Sequence, residues 1–358
     1  MRIRLLARVA IAMFVVLALS GAVQAAELRL LTWKGYSPNE VVEQFEKETG
    51  IKVNITYSNN EEMISKLRAT GGAGFDLAQP SQDRITGAQQ DYKIYRAFDL
   101  SKVDAKQFIP SMLEATKKNT TLDGQVYGLP HIWGTDGLIV NTKAAAGASD
   151  YLDLCDAKYA GRVSYRAKRP VLIAFAFGMG NDPFALYKDK AAYTALMEKV
   201  GQKLIACKKY VKDYWTNGDA LLTLMRTGEV TLAMGWDSGG WKLTQENPAL
   251  IFVAPKSGAL GWIDTFALPA KARELDAAYK WINFVMRPEI AGKVAGAAGN
   301  FTSSQGSDKY VDPVLSKLYQ ASFPPKDVDN IKWYPAVPAG LEEIEGNILD
   351  KVRAAPSQ

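Results

Sequence analysis

Leu129-Pro-His-Ile-Trp-Gly-Thr-Asp-Gly-Leu-Ile-Val-Asn141 and Gly258-Ala-Leu-Gly-Trp-Ile-Asp-Thr-Phe-Ala-Leu-Pro269 decide the fold. Both are extended, mostly apolar segments with internal glycines, and a block with its own helices lies between them. That block reads as a helical region over 182–205, a helix over 219–227 stopped by Gly228, and a strand over 230–235. Two extended crossings around an inserted block are the mark of a two-lobed protein whose first lobe is interrupted by the second. Before the first crossing the chain reads strand, helix, strand, helix, strand. Leu28-Arg-Leu-Leu-Thr-Trp33 fits a first strand, and Ile51 to Ile55 alternates as a second. Ser37-Pro38-Asn39-Glu40 reads as a capping box that opens a helix with Val41, Val42 and Phe45 on one face and Gly50 at its end. Asn59 or Asn60 caps a second helix stopped at Gly71-Gly72, and Phe75 to Gln79 is a third strand broken by Pro80. A βαβαβ opening favours an α/β domain with a mostly parallel sheet.

The 358 residues are 47% hydrophobic and 23% charged, an ordinary globular balance with room for two domains. Arg2, Arg4 and Arg8 precede the apolar run Val9 to Leu19 and the small-residue stretch Val23-Gln24-Ala25. This is the pattern of a secretory signal peptide over residues 1–25. Its removal takes away three arginines and no acids, leaving 40 bases against 38 acids. A mature charge of +2 gives no argument for nucleic acid or an anionic membrane. No later apolar run approaches the ~20 residues of a membrane span.

Residue counts exclude much chemistry. His131 is the single histidine, so Ser-His-Asp or Cys-His catalysis would have to run through it, and zinc sites built from several histidines are excluded. Two cysteines, Cys155 and Cys207, are too few for a Cys-rich metal site; in an exported chain they pair as a disulfide. Phosphate loops are absent, and Gly71-Gly72-Ala73-Gly74 lacks the context of a dinucleotide fingerprint. No cofactor is called for.

What remains is aromatic residues beside carboxylates at strand ends. Trp33 and Tyr36 close the first strand, and Ser81 and Asp83 follow the third. Trp133 and Asp136 sit in the first crossing, Trp236-Asp237 follows a strand, and Trp262 and Asp264 sit in the second crossing. Ligands of open α/β sheets bind beyond the carboxyl ends of the strands, so these positions converge on one cleft. Aromatic faces attract a cation and cover its methylenes while carboxylates neutralise it, which is the chemistry for an organic ammonium group. A lone Trp near a strand end more often packs a core, and a lone Asp after a strand more often caps a turn or helix. The spacing Trp262-Ile263-Asp264 carries more weight, because i and i+2 share one strand face. His131 reads as structural, and Arg166-Ala167-Lys168-Arg169 as a solvated face.

The chain resembles the periplasmic spermidine/putrescine-binding proteins of ABC importers over nearly the whole mature length. The resemblance rests on Leu31-Thr-Trp-Lys-Gly-Tyr-Ser-Pro38, Glu43-Gln-Phe-Glu-Lys-Glu-Thr-Gly-Ile-Lys-Val53, Phe75-Asp-Leu-Ala-Gln-Pro-Ser81 and Leu129-Pro-His-Ile-Trp-Gly134. It continues through Gly228-Glu-Val-Thr-Leu-Ala-Met-Gly-Trp236, Gly261-Trp-Ile-Asp-Thr-Phe-Ala-Leu-Pro269 and Trp281-Ile-Asn-Phe-Val-Met-Arg-Pro-Glu289. It implies two α/β lobes joined by crossing strands that close on a ligand, with residues 26–133 and 263–308 in lobe 1 and 134–262 and 309–358 in lobe 2. It implies ligand contacts at Trp33, Tyr36, Ser81, Trp236, Trp262 and Asp264. Where such proteins place a second carboxylate pair three residues apart, this chain has Ala167 and Pro170, and Asn300 replaces a late tyrosine. One ammonium anchor remains, with Asp83, Asp136 and Asp237 as replacements for the other.

The expectation is therefore a periplasmic, non-enzymatic, monomeric solute-binding protein that delivers a small amine-containing solute, polyamine-like or ω-amino-acid-like, to an ABC permease. A free diamine fits less well than a compound with one cationic end. The alternatives are an exported hydrolase using carboxylates among Asp83, Asp136, Asp237 and Asp264, a ferric-ion binder, against which stands the lack of a Tyr-Tyr pair, and an oxyanion binder using Arg166, Lys168 and Arg169.

Overall fold

The computed structural model describes residues 26–356, so the expected signal peptide lies outside the described residues. The opening elements are β1 (Glu27–Thr32), α1 (Asn39–Thr49), β2 (Lys52–Tyr57), α2 (Asn60–Thr70) and β3 (Leu77–Ala78). They form a parallel sheet in the order β2-β1-β3, as the βαβαβ reading requires. Gly50 ends α1 in a left-handed conformation, its N–H returning to the Glu46 carbonyl. Asn59 caps α2 by accepting from the Glu62 N–H. The capping box at Ser37 does not form. Pro38 takes the cap position in an extended conformation, the helix starts at Asn39, and the Ser37 hydroxyl is buried with no partner among the described residues.

The first crossing is one strand, β4 (Leu129–Asn141), the centre of a mixed sheet. It pairs antiparallel with β5 (Leu232–Trp236), β6 (Leu250–Val253) and β7 (Leu260–Phe266), the last being the second crossing. The Trp262–Gly134 and Asp264–Ile132 pairs put Trp262 and Asp264 opposite even-numbered β4 positions, and the register shifts just after Asp264. Isolated bridges Ala78–Ala267 and Ser81–Asp264 carry the pairing on into the lobe 1 sheet.

Apolar cores collect on both sides of these crossings. On one side, Leu28, Leu30, Phe45 and Leu77 pack with Phe266, Trp281, Phe284 and Val294. On the other, α3 (Arg169–Gly178), α4 (Lys190–Cys207) and a C-terminal helix over Leu341–Ala354 share a core built from Leu172, Phe175, Leu204, Ile348 and Leu349. Each such fully buried side chain contributes about 1.5–3 kcal/mol. Helices α5 (Asp237–Glu246), α6 (Leu275–Val285), α7 (Pro288–Ala298) and the C-terminal helix, α8, complete the parts that bear on the site. Cys155 and Cys207 form the expected disulfide, at the end of α4. No helix among the described residues is long and apolar enough to cross a membrane.

Candidate functional site

A cleft of about 820 Å³ opens between the lobes. Its walls include the residues after β1 (Trp33 to Tyr36), the start of α2 (Asn60, Glu61), the residues after β3 (Ser81, Asp83, Arg84), Asp136 of β4, Arg166, Arg169 and Pro170, Trp236, and Trp262 and Asp264 of β7. The sequence thus brings Trp33, Tyr36, Ser81, Asp83, Asp136, Trp236, Trp262 and Asp264 to one cavity.

Asp264 is the best-seated carboxylate. It is 3% exposed. The Tyr36 hydroxyl donates to its Oδ2 at 2.5 Å and the Ser81 hydroxyl to its Oδ1 at 2.5 Å. Ser81 is itself fixed by the Asn60 side-chain amide, which donates to its hydroxyl at 2.9 Å. Burial pushes the Asp264 carboxyl up to about 7 against the opposing pull of those two hydroxyls. Trp262 lies one strand repeat away on the same face. Its ring fits only because position 134 is glycine: a Cβ there would stand 2.6 Å from the indole and 2.6 Å from the Asn300 amide.

Asp136 reaches the cleft from the same strand face, two repeats along β4 from Ile132. It is 5% exposed, and its carboxylate makes no hydrogen bond among the described residues. Burial holds it at about 7, with Arg166 pulling the other way. Trp236 faces Trp215 edge-on at 5.0 Å, and the Arg166 guanidinium lies 5.3 Å from the Trp236 ring and 5.4 Å from the Trp215 ring.

Two of the expected positions do not line the cavity. Trp133 is an odd-numbered residue of β4, opposite Ile263, and so points to the face away from Asp136. It stacks on Phe301 at 5.4 Å and packs against Tyr319 and Trp333. Asp237 opens α5, and its carboxylate is filled from within. It accepts from the Thr135 N–H and hydroxyl, the Asn300 amide and the Ser238 N–H, which offset the burial that raises it to about 6. Asp83 lines the cleft but is ion-paired with Arg169 at 2.9 Å.

Reading Arg166 to Arg169 as a solvated face is corrected by the structure. Arg169 is buried and spans the lobes, pairing with Asp83 on one side and Glu345 of α8 at 3.0 Å on the other. It also donates to Tyr187 and lies 4.8 Å from the Tyr334 ring. Beside it, Arg84 pairs with Glu342 at 3.1 Å. Glu345, Trp215 and Tyr334 escaped the sequence reading, and the bridging role of Arg169 with them, because nothing near them in sequence marks contacts made with residues far along the chain. His131 is structural, as expected: its Nδ1 meets the Gln79 amide at 2.6 Å, its ring stacks on Phe266, and burial holds it neutral, at about 3.

A family described as bacterial extracellular solute-binding protein matches residues 40–322. The spermidine/putrescine-binding periplasmic protein of Escherichia coli (strain K12) is 29% identical over 299 residues, 81% of each chain. The putrescine-binding periplasmic protein PotF of the same organism is 26% identical over 335 residues, covering 86% of this chain and 85% of that one. Among solved structures, the spermidine/putrescine ABC transporter substrate-binding protein PotD from Streptococcus pneumoniae is similar with a TM-score of 0.73 at 22% identity, covering 92% of this chain and 98% of that one. The TpPotD lipoprotein of Treponema pallidum gives a TM-score of 0.76 at 21% identity, covering 91% and 99%. These two likenesses speak for the fold: two lobes joined by crossing strands.

Proposed function

The chain belongs to the bacterial extracellular solute-binding proteins, and on that premise we propose that it binds a small amine-bearing organic solute between its lobes and hands it to an ABC permease. It is a periplasmic binding protein, not an enzyme. The reading is carried by Asp264, a carboxylate buried in the cleft, held by Tyr36 and Ser81 and flanked by an indole on the same strand face. An ammonium group placed there gains a charge partner in a dry site, and Trp33, Trp236 and Trp262 cover its methylenes. The printed names of the polyamine-binding relatives support the choice of an amine. The hydrolase alternative draws support from neither source, since Asp83 is ion-paired and Asp237 is filled by four donors. The proposal includes the lobe boundaries, 26–133 with 263–308 and 134–262 with 309–358, and action as a monomer. Closure of the lobes buries the solute and creates the surface that a permease reads.

Asp264→Asn tests it. The amide keeps the shape and removes the charge, so calorimetry with the best-binding amine is expected to show a loss of about 2–5 kcal/mol, as for a truncated buried charge pair. Unchanged affinity would reject Asp264 as the anchor.

A further inference from the structure

We propose that the solute carries a carboxylate as well as an amine, and that Arg166 is the residue that holds it. The inference rests on the reading that the amine sits on Asp264, and it narrows the solute to a short ω-amino acid. Of the cations around the cleft, three are already paired. Arg169 is spent on Asp83, Glu345 and Tyr187. Arg84 is spent on Glu342 and Glu61, and Lys34 pairs with Asp219 at 2.8 Å. Lys242 stands exposed at the rim, and Lys168 does not line the cavity. Arg166 lines it, is half-buried, and has neither a carboxylate within 4.0 Å nor a hydrogen-bond acceptor for its guanidinium among the described residues.

The guanidinium is also held in place before any ligand arrives. Its central carbon lies 5.4 Å from the Trp215 ring centroid and 5.3 Å from that of Trp236, two rings set edge-to-face, so the aromatic pair fixes its place in the cleft wall. A planar fork of this kind accepts a carboxylate through paired, charge-assisted hydrogen bonds. Asp136 is the residue that argues for a diamine instead, since a second ammonium could pair with it. Arg166, however, already acts on that carboxyl from the cleft wall, so a second ammonium placed there would stand beside a like charge in a dry site. A dication would also leave Arg166 unpaired as the lobes close, whereas an amine on Asp264 with a carboxylate on Arg166 gives both residues a partner of opposite charge.

Calorimetry on the mature protein tests the assignment with 4-aminobutanoate, 5-aminopentanoate and 6-aminohexanoate against putrescine, cadaverine and butylamine. An aminoalkanoate is expected to bind at least about 30-fold more tightly than the diamine of equal length. Arg166→Met should erase that preference while leaving butylamine affinity within about threefold, and Arg166→Lys, which keeps the charge but loses the fork, should fall between. The thermal transition of each variant checks that it is folded. A diamine that binds as tightly as its aminoalkanoate, or a preference unmoved by Arg166→Met, overturns the assignment of Arg166 and leaves the amine reading standing. Failure of every amine, butylamine included, overturns the amine reading and this inference with it.

Discussion

Replacing Arg169 by Met tests whether the bridge between the lobes is held electrostatically. Arg169 neutralises two buried carboxylates, Asp83 at 2.9 Å and Glu345 at 3.0 Å. At a charge separation of about 4 Å and an effective dielectric of 20, each attraction is worth about 4 kcal/mol. The arginine's own desolvation offsets much of this, so an intact bridge contributes little net. Removing only the cation is different, because it strands both carboxylates. The expected loss is about 3–5 kcal/mol near pH 7.5, against about 5–15 kcal/mol for a typical domain's stability. The sign with pH follows from Asp83, whose carboxyl burial already raises above its ordinary value while Arg169 opposes the rise. Without Arg169 the folded-state value climbs further. A raised folded pKa gives stability that is present at low pH and lost as pH rises, so the deficit should shrink as pH falls toward about 5. Denaturant titrations of wild type and Arg169→Met across that range, with Asp83→Asn/Arg169→Met/Glu345→Gln as the repaired variant, make the assay. A loss below about 1 kcal/mol, or one that does not change with pH, would refute the argument.

The loop of 52 residues closed by Cys155 and Cys207 predicts that Cys155→Ser/Cys207→Ser loses about 4 kcal/mol on the chain-entropy model; free thiols in the purified periplasmic protein by mass spectrometry would contradict it. Asp136, Asp237 and Asp264 are held at about 7, 6 and 7, so the ligand-free protein should gain thermal stability on going from about pH 8 to about pH 5. Amine affinity should run the other way and weaken below about pH 7 as Asp264 takes a proton; thermal-shift titrations with and without amine read both trends.

The parts of the site that could be read from sequence are those whose signal is local. Trp262 and Asp264 are two apart on a strand, so the period of the pleat alone puts ring and carboxylate on one face. The same rule applied to β4 separates Trp133 from Asp136, three apart and therefore on opposite faces, so only one of the two can face the cleft. Asp237 carried the ordinary signal of a helix start, and that is its role. The lobes and the parallel first sheet were legible because alternation and glycine stops mark strand and helix ends. Arg166 and Arg169 were not, since four residues with three charges look alike whether they face water or a cleft. What distinguishes them is set by Trp215 and Trp236 for one, and by Asp83 and Glu345 for the other, 86 and 176 residues away.

The core that joins Leu28 and Phe45 to Trp281 and Val294 also governs the order in which the chain can fold. Its first half is made early, but its apolar partners, Phe266 to Val294, follow only after residues 134–262 have been synthesised. At about 5–20 residues per second, the stretch from Ile132 to Val294 takes about 10–30 s. For that time the nascent first lobe exposes one face of β1 and α1 and cannot reach its native state. The second lobe has more to build on, since most of its core lies between Leu138 and Leu260, and α8 completes it with Leu341, Ile348 and Leu349. A single chain reversal thus gives a newborn molecule that stays open to holding factors until nearly all of it exists.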